Sequence, residues 1–488
     1  MSLLKHILSK EHSALFIIIF IFTLYYAFLF DPKPFPGGDN AHYISLAYGL
    51  TRVGRFCQFH SPGCNLQKLR PFGYPLLLAP LTFFKSIIPM KIENYFFAVF
   101  SLSLLFLIFR ETRLKYIVPG ILCVYLPFIQ YSYWVLSEIP FLFFVLLTVY
   151  SIKKGKFLSA SLSTIYAFFI RSAGLTLIFA LLIHLLFRKK FKYLLILLIL
   201  SSFTIGLWEL RNSRIESQQR TYLEQFLSKN PYSAKEETQR ITLKDLIHRI
   251  KKNFVFYSHF RVFDCKVLSG ILLLLFLIGL TWGIIHKEFI SIYTFLYLCL
   301  ILVWPEVWKN VRFLIPVVPF IISSVFQGLV LIQKWFKTKL NLTLIVFAFT
   351  FTFFSTKDVK KFPEYFKVKI EYSRGNILYG YPLFIRELFS AALWAKENIP
   401  EDNIIIVRKP ALFWLYSRRK CIIYPFTTEA DTIIAFIKRY RVKYVVMDNM
   451  FSSTKCYLKP AIKRFNAKKK VIYESEYVKI LQIYLKND

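Results

Sequence analysis

The sequence predicts an α-helical polytopic membrane protein with a C-terminal α/β domain, and three observations carry the prediction. Hydrophobic residues make up 56% and aromatic residues 19% of the 488 positions, with 53 Phe and 30 Tyr. That is more large apolar surface than a soluble interior of this size hides. These residues fall into helix-length blocks between charged punctuation, as lipid demands of segments that must bond all their own backbone groups. After about residue 355 the apolar runs shorten and alternate with amphipathic stretches. The blocks exclude a disordered chain despite 64 Lys+Arg against 28 Asp+Glu. A net charge of +36 raises nucleic acid as a partner, but a chain that can span lipid offers the membrane as the simpler one.

Eleven spans are predicted, near residues 12–30, 92–109, 116–133, 138–152, 157–174, 174–187, 193–209, 267–285, 289–304, 313–333 and 340–355. The fifth and sixth nearly touch and predict a tight pair. If the spans alternate, loops 110–115, 153–156, 188–192 and 334–339 share the side of the N-terminus and are rich in Lys and Arg. The positive-inside rule makes that side cytoplasmic. The first span lacks a small-residue cleavage pattern after Leu29 and Phe30, so it is expected to be a signal anchor in a multi-pass protein. The segments 31–91, 211–266 and 356–488 then lie outside. They hold about two-thirds of the net positive charge, which long external segments tolerate and which suits anionic lipids and glycolipids at that face.

Residues 1–355 are expected to form the membrane domain and 356–488 an extracytoplasmic α/β domain. Within the latter, 403–407, 421–424 and 443–447 read as strands, 384–398 and 428–441 as helices, and 470–484 as a terminal hairpin. Cys57 and Cys64 share the first external loop, where a disulfide is permitted and spacing alone leaves it open.

Candidate chemistry gathers at the external ends of the spans. In the first loop, Gly37 and Gly38 precede Asp39, followed by Asn40, His42 and Tyr43 on an amphipathic run; Asp39 reads either as a helix N-cap or as a catalytic carboxylate. Segment 69–81 is apolar but broken by Pro71, Pro75, Pro80 and Gly73, which predicts an interfacial segment, with Arg70 facing a headgroup or a bound phosphate. Glu138, Arg171, Lys309 and Arg312 stand at the ends of later spans, where ionisable groups must pair or line a wet cavity. A plain Glu138–Arg171 salt bridge satisfies that demand equally well. His42 and His60 match no standard metal spacing, so no metal is expected. There is no phosphate-cradling Gly-rich loop and no HExxH, which argues against a nucleotide-driven pump and a zinc protease.

The order of these motifs resembles the GT-C superfamily of polytopic glycosyltransferases, in particular the bacterial dolichyl-phosphate-mannose protein mannosyltransferase-like and aminoarabinose transferase-like group. The resemblance rests on Asp39 with Tyr43, on the segment from Arg70 to Pro75, on Ser137-Glu138-Ile139-Pro140, on Arg171 in Ile170–Leu175, on Trp208-Glu209-Leu210-Arg211-Asn212, and on Arg312-Phe313-Leu314-Ile315-Pro316. It spans residues 1 to about 335. Two departures stand out: Asn40 where the family often has a second acid, and Phe72 where a second proline is common. The resemblance implies a place in the bacterial inner membrane and transfer of a sugar from a polyprenyl-phosphate donor to a glycolipid, glycan or protein acceptor, with inversion and without a cofactor. Asp39 would be the base, Arg171, Arg312, Arg70 and Lys309 the donor-phosphate ligands, and Glu138, Tyr43 and His42 orienting groups. A transporter or flippase of a polyprenyl-linked or anionic substrate is the alternative, but it should carry mid-membrane charges and repeats, which the spans lack.

Overall fold

A computed structural model of the chain describes residues 2–215, 221–231, 239–258, 266–337 and 341–485. Parts of the predicted loop 211–266 and Lys339 lie outside the described residues. Among the described residues six helices are long and apolar enough to cross a bilayer: Glu11–Leu29, Ile88–Ile108, Phe191–Ser213, Val267–Ile285, Val318–Trp335 and Leu342–Ser373. A bent pair, Leu114–Leu122 plus Leu126–Tyr133, turns by 63° at a short break and makes a seventh crossing if the two helices count as one span. The break falls at Cys123–Tyr125, just before Pro127, whose missing N–H could not continue the hydrogen-bond ladder.

The other four predicted spans are helical but short. Glu138–Lys153, Phe157–Ile170, Leu175–Phe187 and Phe289–Val303 have 16, 14, 13 and 15 residues, against about 20 for an upright crossing. The expected eleven spans thus become six or seven by length and composition. Phe16, Leu195, Phe203 and Leu274 are exposed on the long helices, as side chains that face lipid would be.

Helices Lys266–Ile285 and Val318–Trp335 meet backbone to backbone. A Cβ on Gly279 would lie 1.9 Å from the Ser324 carbonyl oxygen, and one on Gly328 would lie 2.0 Å from that of Leu275. Small residues at such crossings are how helices associate tightly in lipid. Gly328→Val is expected to force the pair apart, costing about 1–3 kcal/mol or more, and to lower the melting temperature of the detergent-solubilised protein; an unchanged melting temperature would refute the close approach.

A fully buried lysine closes the first loop. Lys91 Nζ donates to the carbonyls of Asp31 at 2.8 Å and Lys33 at 2.7 Å, tying the exit of the first span to the start of the second long helix. Helix Gly38–Val53 follows, then strands β1 (Cys57–Gln58) and β2 (Asn65–Leu66), an antiparallel hairpin. Cys57 and Cys64 form a disulfide across it, with Cα atoms 5.3 Å apart. The hairpin lies flat on the helix because Gly49 has no side chain: a Cβ there would meet the Cys57 carbonyl oxygen at 2.2 Å.

The C-terminal sheet has the strand–helix alternation read from the sequence. Strands β3 (Ile404–Ile406), β4 (Lys420–Ile422), β5 (Tyr444–Asp448), β6 (Lys468–Glu474) and β7 (Val478–Tyr484) pair in the order β4-β3-β5-β7-β6. The first three run parallel, and β7 is antiparallel to both β5 and β6. Helices Leu383–Asn398, Pro410–Ser417 and Ala430–Arg439 accompany it; Pro410–Ser417 was not apparent in the sequence. The sheet is joined to the first loop. The Cys421 amide of β4 donates to the His60 carbonyl at 2.8 Å, and Lys420 Nζ donates to the Phe59 carbonyl at 2.6 Å.

Candidate active site

Asp39 sits in the first turn of helix Gly38–Val53, but the N-cap is Gly37 and makes no side-chain cap bond. The N-cap reading of Asp39 is therefore corrected: its carboxylate leaves the helix and pairs with two arginines. Arg70 Nη2 lies 2.9 Å from Oδ1, and Arg312 Nη1 lies 2.7 Å from Oδ2. Asp39 and Arg312 are 273 residues apart in sequence. Arg312 also places Nε 3.8 Å from Glu138 Oε1, and Arg171 Nη1 lies 2.7 Å from the same oxygen. Two carboxylates and three guanidinium groups thus form one network, with Arg312 touching both acids.

The carboxylates differ in exposure. Glu138 is 1% exposed, whereas the Asp39 side chain is 31% exposed. Burial alone would raise the Asp39 pKa, but Arg70 and Arg312 outweigh it and hold the carboxyl well below the usual range. Asn40, beside it, is fully buried, and neither side-chain amide atom has a hydrogen-bond partner among the described residues. An amide is far less costly to bury at such a position than a second carboxylate would be.

Tyr43 lies one turn on from Asp39. Its hydroxyl and Arg171 Nη1 each lie 3.0 Å from Ser137 Oγ, and its ring packs edge-on to Tyr74 at 5.0 Å. Tyr74 is held by Asn94 at 3.2 Å. The broken segment after Arg70 forms helix Gly73–Leu78 and a tight turn at Ala79–Phe83. Gly73 lets it approach the end of helix Phe157–Ile170, since a Cβ there would fall 2.6 Å from the Phe169 carbonyl oxygen. Phe72 packs on Phe169 at 4.7 Å and Trp208 at 5.6 Å, an aromatic contact that anchors the start of this segment. Arg211 bonds the carbonyls of Gln67 at 2.8 Å and Phe56 at 3.3 Å, securing the hairpin rather than the acids.

Lys309 does not join the network: it is exposed, its ammonium lies 5.6 Å from the Phe256 ring centre, and it pairs with neither carboxylate. His42 and His60 have ring centres 5.4 Å apart, and His60 Nδ1 lies 2.7 Å from Ser45 Oγ. Burial, with Arg70 and Lys420 nearby, pushes the His60 pKa down to about 3, so its imidazole is neutral. No group of three or more His, Cys, Asp and Glu suited to a metal occurs among the described residues.

Two neighbours of the network were missed in the sequence. Tyr222, from the second long loop, carries a hydroxyl bonded to Ser172 and stands in the electrostatic field of Arg70, Asp39 and Arg171. The Thr221–Glu224 capping box was the one local signal for its helix. Lys409 arrives from the C-terminal sheet, with no motif to mark it. An apolar cavity of about 410 Å³ also opens beside Arg312, between the bent helix pair and the last spans; Tyr131, Tyr257, Val311, Leu314 and Phe354 are among its walls.

Removing the disulfide tests how far the hairpin supports this site. Cys57→Ser with Cys64→Ser is expected to cost about 2 kcal/mol of stability for so short a loop, seen as an earlier thermal transition under oxidising conditions. An unchanged transition would mean that Arg211 and the sheet hold the hairpin without it.

No protein-family model matches the chain, and no curated protein sequence matches it. Its fold does match solved structures. ArnT from Cupriavidus metallidurans bound to undecaprenyl phosphate superposes with a TM-score of 0.54 at 11% identity, over 97% of each chain. The apo state of the same protein gives 0.54 at 9% identity over 98% of each chain. From end to end, this multi-pass chain has the fold of ArnT, as the resemblance of its motifs to the aminoarabinose transferase-like group implies.

Proposed function

We propose that the protein transfers a sugar from a polyprenyl-phosphate donor to a hydroxyl group of an acceptor outside the cytoplasmic membrane, with inversion. The observation that carries this reading is Asp39: a part-exposed carboxylate held by two guanidinium groups at the ends of membrane helices. The fold of ArnT, one structure of which holds undecaprenyl phosphate, supports the choice of donor.

In the proposed reaction the acceptor oxygen attacks the anomeric carbon, the bond from that carbon to the phosphate oxygen breaks, and polyprenyl phosphate leaves. The acceptor proton passes to Asp39. Paired with two arginines, Asp39 is a weak base. A donor phosphate competes for the same guanidinium groups, and as Arg70 and Arg312 turn to it the carboxylate gains basicity. Base activation is thereby tied to donor binding. Arg171 and Arg312 stabilise the charge growing on the leaving phosphate, Glu138 orients both, and Tyr43 holds Ser137 and Arg171 in place. The cavity beside Arg312 offers apolar walls to the first isoprene units.

This reading puts the N-terminus in the cytoplasm and the site and C-terminal domain on the outer face of the inner membrane, supported by the Lys- and Arg-rich loops on the other side. Membranes containing the wild-type protein, given radiolabelled sugars on undecaprenyl phosphate, are expected to label an envelope glycan or protein. Labelling identical to membranes lacking the protein, for every donor tried, would overturn the reading in favour of a transporter.

A further inference from the structure

The parallel strands of the C-terminal sheet carry two adjacent cations just past the carboxyl end of β3. Ligands of open parallel sheets bind at that end, and here it faces the first loop. Lys409 caps helix Pro410–Ser417. The helix packs against helix Gly38–Val53 through Trp414, whose ring centre lies 5.6 Å from Tyr48 and 5.8 Å from Phe59. The contact brings Lys409 Nζ to 3.8 Å from where a Cβ on Gly38 would stand, next to Asp39.

Neither cation is neutralised. Among the described residues Lys409 and Arg408 form no salt bridge with a carboxylate. The Arg408 guanidinium lies over Phe426 at 4.8 Å and Phe451 at 5.7 Å and donates through Nε to Ser453 at 2.6 Å. The Lys409 ammonium shares the Phe451 ring at 5.6 Å. Burial and Arg408 press the Lys409 pKa down to about 8, so an anion at this place would find a poorly hydrated cation. The charges of Lys409 and Asp39 both act on His42, whose Nδ1 is buried without a hydrogen-bond partner among the described residues. An unfilled polar atom and the Lys409 ammonium therefore gather at one edge of Asp39, with Arg408 next to Lys409. Arg171 and Arg312 are held by Glu138, whereas the charged neighbours of Lys409 are Arg408, Asp39 and Arg70.

We propose that Arg408 and Lys409 form an anion subsite for the acceptor, so that the sugar is passed to a hydroxyl group on a molecule bearing a phosphate or carboxylate close by. The assignment rests on the transferase reading above and gives the C-terminal sheet a direct part in acceptor choice.

The test uses the full-length protein in membranes. Lys409→Gln is expected to raise acceptor KM about tenfold or more, with a smaller change in donor KM; Lys409→Arg should recover most of the loss, and Arg408→Gln should act in the same direction. An unchanged acceptor KM overturns the subsite, and so does a rise confined to donor KM, which would assign the anion to the lipid phosphate. A second arm needs no turnover. Inorganic pyrophosphate is expected to protect Lys409 from amine acylation, read by peptide mass spectrometry, in the wild type and much less in Arg408→Gln; absence of protection in the wild type overturns the subsite. If the wild type transfers no sugar, the transferase reading falls and the acylation arm alone decides the subsite.

Discussion

Asp39→Asn is expected to insert and fold normally and to lose sugar transfer by about 10²- to 10⁴-fold in kcat. The amide keeps the shape of the side chain and one oxygen acceptor for an arginine but cannot take a proton. Loss of transfer with normal protein levels and a donor KM that does not rise would mark a chemical role; retention of full transfer would remove Asp39 as the base. The ion pairs make a further, pH-dependent expectation. Because Arg70 and Arg312 hold the Asp39 carboxyl well below the usual range, it stays ionised on acidification, and its pairing is lost only as pH falls through that depressed value. The kcat/KM profile, which reports the free protein, should therefore show no acid limb from Asp39 between pH 7 and about pH 5. A limb there that vanishes on replacing Asp39 would contradict the double pairing.

Glu138 should fail differently. It is 1% exposed and faces Arg171 at 2.7 Å and Arg312 at 3.8 Å. Replacing it by Ala leaves a largely buried guanidinium without its counter-charge, a defect of about 3–5 kcal/mol against a typical total stability of about 5–15 kcal/mol. Glu138→Ala is expected to accumulate poorly and to unfold early in detergent, with Glu138→Gln between it and the wild type. A Glu138→Ala protein as stable as wild type would show that water, not the arginines, compensates the acid. The contrast between the two carboxylates follows from access: Asp39 is part-exposed, whereas Glu138 is buried against Arg171 and Arg312.

The secondary structure was legible where a single physical demand acts on a contiguous stretch. Lipid requires apolar helices, so every predicted span is helical. Short apolar runs gave β3, β5 and the β6–β7 hairpin nearly to the residue. The number of crossings was harder, because Pro127 breaks one helix and four others stop at 13 to 16 residues. Of the site, the Glu138–Arg171 pair was foreseeable from two charges at the ends of neighbouring spans. Which arginines claim Asp39 was not, because tertiary packing chooses between Arg70, Arg171 and Arg312, and Lys309, close in sequence to Arg312, is turned elsewhere. Lys409 gave no signal at all. Its position depends on Trp414 seating a helix on the first loop, a contact with no local pattern.

The bond from β4 to the His60 carbonyl sets an order of events during synthesis. The Asp39 helix emerges from the ribosome early, yet the strand that holds its hairpin is made more than three hundred residues later, and Arg312 also arrives late. A nascent chain therefore carries the Asp39 carboxylate with only Arg70 within reach until Arg312, about two-thirds of the way along, has been made, and the hairpin waits for β4 in the last quarter. Premature termination in that quarter would leave the helices and all five charges of the network in place but remove the strand that holds the hairpin beside Asp39.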